Sequence, residues 1–78
     1  MKYTYEDLVR DVNIGHDIEF IFNGKLYGII NVREGFGLGE DKKKFKYFKT
    51  PQELLDNGTI DEKSLKEIWG EVEFFARL

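Results

Sequence analysis

The stretch that decides the fold is HDIEFIFNGKLYGIINVR, residues 16–33. Two runs rich in β-branched and aromatic residues, 16–22 and 25–33, are separated only by Asn23-Gly24. Asn-Gly between such runs favours a type I′ turn, because both central residues of that turn need a positive φ. The sequence therefore predicts an antiparallel β-hairpin with a two-residue loop.

The two-residue loop also fixes the register, because paired residues must then have numbers that sum to 47, as those of the two turn residues do. Phe20 pairs with Tyr27 on the face that we expect to be buried. The second face, which includes Ile21 and Leu26, is neither wholly polar nor wholly apolar. Such a face is typical of a sheet that is partly covered, either by its own C-terminal segment or by a partner.

The composition limits the class of protein. The 78 residues suffice for a single domain, expected to span 1–78, and 15% aromatic residues are too many for a disordered chain. Without cysteine, the chain has neither a disulfide nor a thiolate metal site. No apolar run approaches the roughly 18 residues of a membrane span, and no signal-peptide core follows Met1. We expect a cytoplasmic protein with no cofactor and no membrane contact, small enough that a homodimer would help its stability.

A helix signal precedes the hairpin. Thr4 is a good N-cap, and Asp7 completes the pattern of a capping box. Apolar residues with helical spacing follow, and Gly15 supplies the stop. The sequence predicts a helix over Tyr5–Asn13, with its charged residues, including Asp11, facing water.

The C-terminal half predicts one more strand and further helices. Residues 44–49 alternate imperfectly, as a strand with aromatic residues on both faces would, and Thr50-Pro51 favours the start of a short helix. A second helix is expected to begin at Thr59 or Asp61 and to place Trp69 in the core. Residues 71–78 fit either a helix or a strand, and we favour a final strand. The predicted fold class is α+β, with the helices on one face of the sheet.

Between the hairpin and that next strand, residues 34–41 read EGFGLGED. Three glycines in five residues, followed by two acids, predict a flexible loop. The loop does not have the spacing of a phosphate-binding loop, and no Lys-Ser or Lys-Thr follows it. We expect Phe36 and Leu38 at its tip, where exposed apolar side chains commonly contact a protein partner.

The net charge of −3 is the sum of three segments whose charges alternate in sign. Residues 1–40 carry −3, residues 41–52 carry +4 and residues 53–78 carry −4. The basic segment mixes lysines with aromatic residues, the pattern of single-strand nucleic-acid binders. Its candidate contacts are Lys42, Lys43, Lys44, Lys46 and Tyr47. An edge strand that lysines protect from aggregation explains the same pattern, and an acidic chain lacks the long-range field that favours nucleic acid.

The acidic C-terminal segment suggests a different partner. Glu67, Glu71 and Glu73 could imitate the phosphates of a nucleic acid and occupy the basic groove of a nuclease. An ordinary solvated helix face would carry the same residues. Both interpretations remain open at the level of sequence.

The sequence argues against an enzyme. His16 is the only histidine, Ser64 is the only serine, and we expect them at opposite ends of a small fold, too far apart for a catalytic triad. The acids lack the spacing of a calcium-binding loop and are placed as solvated helix faces, so no metal site is predicted.

The hairpin also resembles a known pattern. Residues 16–27 resemble the IEF-x-(Y/F)-NGK-x-Y opening of short uncharacterised proteins from phages and prophages of Gram-positive bacteria. Residues 54–61 and 65–69 look like the ELL-x-x-x-x-ID and L-x-EIW close of such proteins, whereas Gly28 stands where they often have serine. The resemblance implies an accessory product of a phage or mobile element, a class that is rich in small proteins that bind and inhibit host machinery.

From these observations the chain is expected to be a small, non-enzymatic interaction protein of a bacterial host cell. Inhibition of a host nuclease or defence system, as anti-CRISPR proteins do, is the alternative, and single-strand nucleic-acid binding through residues 42–49 is a lesser one.

Overall fold

Helices and strands are interleaved along the chain, and a computed structural model describes them over residues 2–78. The first half contains α1 (Tyr5–Ile14), β1 (Ile18–Phe22), β2 (Lys25–Val32), β3 (Gly35–Glu40) and β4 (Phe45–Phe48). The second half contains α2 (Pro51–Asn57), β5 (Thr59–Ile60), β6 (Lys63–Ser64), α3 (Leu65–Ile68), a 3-10 turn (Trp69–Glu71) and β7 (Glu73–Arg77).

Helix α1 begins and ends as its caps dictate. The Thr4 hydroxyl accepts from the backbone N–H of Asp7, and the Asp7 carboxylate accepts from the backbone N–H of Thr4, which confirms the capping box. Gly15 ends the helix with a φ of 107°, so α1 extends one residue beyond the prediction. Asp11 was expected to face water, and that prediction is wrong, because its side chain is buried.

The hairpin forms as predicted. Asn23 and Gly24 have φ values of 53° and 75°, the positive values that a type I′ turn needs. Phe20 pairs with Tyr27 and Phe22 with Lys25 in the predicted register. The face that carries Phe20 and Tyr27 is the core face, as expected.

The glycine-rich segment is a strand, so the prediction of a flexible loop over residues 34–41 is wrong. Strand β3 pairs with β2 through Ile29 and Leu38, and with β4 through Leu38 and Lys46. Phe36 and Leu38 alternate with glycines, so both point to the core face and only hydrogen atoms stand on the opposite face. This alternation suits a strand, although glycine has a low intrinsic preference for one.

Five of the strands form one antiparallel sheet in the order β4-β3-β2-β1-β7. The strand expected over residues 44–49 is β4, which lies at an edge of this sheet. The favoured strand at the C-terminus is β7, which occupies the other edge beside β1. A bulge opposite Glu19 and Phe20 leaves Phe75 as an extra residue in β7.

The expected helix start at Thr59 or Asp61 is wrong. Residues 59–64 form the two-stranded hairpin of β5 and β6, and Asp61 and Glu62 take positive φ values of 52° and 67° in its turn. The next helix, α3, begins after Ser64, whose hydroxyl accepts from the backbone N–H of Glu67 in a second capping box. Both turn residues of this short hairpin adopt the left-handed conformation, which a right-handed helix does not contain, so no helix forms here.

The helices pack on one face of the sheet and complete an α+β fold. Trp69 lies in the core, as predicted, and its indole Nε1–H donates to the backbone oxygen of Tyr3 at 3.1 Å. The buried core consists of Leu8, Val12, Ile18, Phe20, Phe22, Tyr27, Ile29, Leu38, Leu54, Leu55, Ile60, Leu65, Ile68 and Trp69. Within residues 2–78, no helix has the length and apolar character needed to cross a membrane.

Candidate functional site

The face of the sheet that points away from the helices is the candidate site, and we call it the open face. Its members alternate with the core residues along each strand: Glu19, Ile21, Leu26, Gly28, Ile30, Gly37, Gly39, Phe45, Tyr47, Glu73 and Ala76. None of its apolar side chains belongs to the core cluster. The C-terminal segment does not cover this face, because β7 extends the sheet sideways.

Two aromatic rings lie flat across the glycines of the open face. A Cβ atom on Gly37 would stand 2.8 Å from Cε1 of Tyr47, and one on Gly39 would stand 2.9 Å from Cγ of Phe45. The Phe45 ring reaches as far as β2, where its Cζ would lie 3.6 Å from a Cβ on Gly28. The glycines therefore make room for the rings, and Tyr47 keeps 43% of its surface exposed.

Ile21, Leu26 and Ile30 add half-buried aliphatic surface beside these rings. Apart from the half-buried Glu19 in the middle of β1, the centre of the open face is thus apolar and low in relief. A contiguous apolar surface of this kind on a small protein is typical of a contact site.

Charges of opposite sign lie at two corners of the same end of the sheet. Because neighbouring strands are antiparallel, the β3–β4 turn and the start of β7 share that end. The lysine corner, residues 42–44 in the β3–β4 turn, lies beside one edge strand. The glutamate corner, Glu71 and Glu73, lies beside the other. Glu19 adds a further carboxylate in the middle of the open face, where it pairs with Gly28 and Ala76.

The residues predicted to contact nucleic acid do not share one surface. Tyr47 lies on the open face, whereas Lys46 points to the helix side, with its Nζ 5.9 Å from the centre of the Phe48 ring. Lys42, Lys43 and Lys44 are exposed in the turn. Three of the five candidates therefore lie together in the lysine corner, whereas Tyr47 and Lys46 point to opposite faces of the sheet.

Phe36 and Leu38 are not a loop tip. Leu38 is only 5% exposed and belongs to the core, and Phe36 is half-buried against it. Their expected presentation to a partner on a mobile loop is wrong, because strand pairing on both sides of β3 turns both side chains toward the helices.

The three glutamates have different surroundings. The Glu67 carboxylate accepts from the backbone N–H of Ser64 at 2.8 Å, and this hydrogen bond lowers the pKa of Glu67. Glu71 ends the 3-10 turn and Glu73 begins β7, and both are exposed. Glu67 is thus held by the α3 cap, whereas the other two form the glutamate corner.

A buried carboxylate that the sequence did not reveal ties the chain ends together. Asp11 is 1% exposed and accepts from the Tyr3 hydroxyl at 2.5 Å and from Nε of Arg10 at 3.3 Å. An Nη atom of Arg77 in β7 lies 3.6 Å from the same carboxylate. Burial alone would raise the pKa of Asp11, but the hydrogen bonds from Tyr3 and Arg10 and the two guanidinium charges outweigh it and lower that pKa.

An open cleft of about 500 Å³ lies beside this cluster and is lined by Lys2, Tyr3, Asp7, Arg10, Phe74 and Arg77. The Tyr3 and Phe74 rings stack with centroids 4.2 Å apart and form its apolar wall. Arg10 bonds to Asp7 as well as Asp11, so the cluster largely neutralises itself. We interpret it as a tie that holds β7 and the N-terminal segment against α1.

Ser64 and His16, the two residues considered for catalysis, make hydrogen bonds to the backbone. The Ser64 hydroxyl serves the α3 cap, and Nδ1 of His16 lies 3.0 Å from the backbone oxygen of Leu78. Over residues 2–78, no group of three or more acids and histidines is placed to hold a metal ion.

Comparison with known proteins adds no relative: no family model, curated protein or solved structure matches this chain.

Proposed function

We propose that this chain is a non-enzymatic protein-interaction module whose contact surface is the open face. One observation carries the proposal: a five-stranded sheet covered by helices on one side presents apolar and aromatic residues on the other. Burial of such a face removes apolar surface from water, which is the main driving force of protein association. The resemblance to phage and prophage proteins supports an accessory role in the cytoplasm of a bacterial host.

The glycines support this proposal in a second way. A larger side chain at Gly37 would displace the Tyr47 ring, and one at Gly39 would push against the Phe45 ring and the β4 backbone, so both would roughen the surface. With glycine at both positions, the rings lie flat, and a partner can approach the sheet closely over a wide area. A flat, largely apolar surface with charged corners is close to the layout of a protein interface, in which a polar rim surrounds an apolar core, although Glu19 places one carboxylate inside that rim.

The nuclease-inhibitor alternative uses a smaller surface. It depends on the exposed pair Glu71 and Glu73, because Glu67 is engaged in the α3 cap. If the chain acts in that way, Glu71→Lys weakens inhibition of the nuclease, whereas a change at the centre of the open face leaves it intact.

The test of the proposed function compares one substitution at two positions. Ile30→Glu places a charge at the centre of the open face, and Ile14→Glu makes the same change at a residue of α1 that is 65% exposed. Immobilised wild-type protein and both variants are incubated with lysate of a Gram-positive bacterium. Each protein captured by the wild type is then purified and titrated against all three, and self-association of the three is measured in parallel.

We expect at least one association, with another protein or with the chain itself, to be lost in Ile30→Glu and kept in Ile14→Glu. Circular dichroism and thermal unfolding establish that both variants are folded. If every association of the wild type survives in a folded Ile30→Glu protein, the open face is not the contact surface and the proposal fails.

A further inference from the structure

We infer that the partner that covers the open face is a second copy of this chain, related to the first by a two-fold axis parallel to the strands. This inference rests on the proposed function, because it names the occupant of the same face. Three properties of the face support it: the placement of its charges, its flatness and its size.

The placement of the charges selects the second copy and its orientation. Two sheets can stack face to face about a two-fold axis that lies either along the strands or across them. A two-fold axis across the strands places β4 of one copy over β4 of the other. The lysine corner of each copy then lies over the β4 edge of the other copy. A two-fold axis along the strands keeps each end of the sheet over the same end of the second copy but exchanges the two edges. Strand β4 of one copy then lies over β7 of the other.

With the axis along the strands, the lysine corner of each copy meets the glutamate corner of the other. The symmetry makes this contact twice, because an interface with a two-fold axis uses the same patch on both copies. Lys43 and Glu73 represent the two corners, and both are exposed. Exposed opposite charges at the rim of an interface favour the correct register over the alternative one.

The central strand of the sheet lies on this axis. Because β2 is third of the five strands, it faces its own copy, and its Leu26 and Ile30 form the middle of the contact. The flat rings of Phe45 and Tyr47 then face the β1–β7 side of the second copy, so the contact also buries Glu19, which lies in the same row of the sheet as Phe45. Aligned sheets pack about 10 Å apart with strands rotated by about 30°, which a flat apolar face permits.

The size of the face suits a weak dimer. Five strands spaced about 4.8 Å apart, with paired stretches about 17 Å long, give a flat footprint of about 400 Å² per copy. Two such faces bury about 1,000 Å² in total once side-chain relief is included, which is near the minimum for a specific interface. We therefore expect a dimer with a dissociation constant in the micromolar range.

Single-stranded nucleic acid fits this face less well. Aromatic rings and nearby lysines are the features that would attract it. However, Glu19 and Glu73 lie on the same face as the rings and would repel a phosphate backbone. The mixture of signs suits a self-complementary surface better than it suits a uniform polyanion.

Sedimentation velocity of the full chain, from about 10 µM to about 1 mM at low salt, tests the inference. Wild type is compared with Ile30→Glu, with the charge reversals Lys43→Glu and Glu73→Lys, and with Lys66→Glu in α3 as a control reversal. We expect wild type and Lys66→Glu to dimerise alike. Ile30→Glu should be monomeric, and each corner reversal should weaken dimerisation by about tenfold or more, because each one creates two like-charge contacts.

Mixing the two corner variants gives the decisive result. A mixed dimer of Lys43→Glu and Glu73→Lys places a lysine opposite a glutamate at both corners, so an equimolar mixture should regain the affinity that each variant alone has lost. If either substitution weakened the dimer only by destabilising the fold, mixing the two variants would not restore the affinity. A dimer that Ile30→Glu leaves intact, or a mixture without recovery, overturns the inference.

The outcomes also separate this inference from the proposed function. If wild type is monomeric at about 1 mM but binds another protein in a way that Ile30→Glu abolishes, the second copy is wrong and the proposed function stands. If a labelled poly-deoxythymidine probe binds wild type and dissociates the dimer, nucleic acid is the occupant and the inference fails. If wild type is monomeric and no association depends on Ile30, both fail.

Discussion

Replacement of Leu38 by alanine tests whether the glycine-rich segment is part of the core. Leu38 is 5% exposed, and one of its Cδ atoms approaches Gly58 closely enough that a Cβ there would lie 2.9 Å away. Removing its methine and two methyl groups from a filled core costs about 3 kcal/mol, the sum of lost transfer energy and a residual cavity. A domain of this length has about 4–12 kcal/mol of stability, so the loss is a large part of the total.

Leu26→Ala is the matched control, because it removes the same atoms from the half-buried open face of the neighbouring strand. In a monomer it should cost about 1 kcal/mol, since much of that side chain already contacts water. Urea unfolding, followed by the fluorescence of the buried Trp69, measures both at a protein concentration low enough to keep the chain monomeric. With a slope of about 1 kcal/mol per molar urea, the Leu38→Ala midpoint should fall by about 3 M.

Equal losses for Leu38→Ala and Leu26→Ala would refute the packing described for β3. A loss below about 0.5 kcal/mol for Leu38→Ala, the range of ordinary surface substitutions, would show that the segment is exposed after all.

Three further predictions concern the buried carboxylate, a helix cap and the aromatic layer. Because folding lowers the pKa of Asp11, its ionised carboxylate stabilises the fold fully above the ordinary carboxyl pKa of about 3.9, and this stabilisation is lost as the pH falls through the pKa of the folded state. The unfolding free energy of Asp11→Asn should therefore fall less than that of wild type between about pH 5 and pH 3. Ser64→Ala should cost about 1 kcal/mol in urea unfolding by removing the α3 cap, and Ser64→Asp should restore most of it, whereas equal stability of all three would contradict the cap. Gly37→Val should displace the Tyr47 ring and destabilise the fold by about 1–3 kcal/mol, and an unchanged tyrosine ring signal in NMR spectra would argue against this contact.

The local parts of the fold were predictable because their signals lie within a few residues. The Asn23-Gly24 turn sets the hairpin register through two positive φ values, and no distant contact is needed. The Thr4 cap works in the same way, since its hydroxyl and the helix N–H that it accepts from are three residues apart. These features locate α1 and β2 to within one residue and β1 to within two.

The candidate site was only partly predictable. The mixed apolar character of the second sheet face was visible from Ile21 and Leu26, once the register was known. The contribution of β3 was hidden, because closely spaced glycines carry the same local signal in a mobile loop and in a strand. The role of Tyr47 was hidden with it, since its ring fits only when Gly37 lies beside it in the neighbouring strand.

The sequence alone determined the α+β class, the hairpin with its register, and the segregation of charge into acidic and basic segments. The tertiary structure decided that the glycine-rich segment is a strand, that Asp11 is buried and that β7 extends the sheet without covering it. The physical reason is the range of the interactions. Turns and caps are settled between near neighbours, whereas a buried carboxylate needs Tyr3 and Arg77 from opposite ends of the chain, and an open sheet face exists only after every strand has found its place.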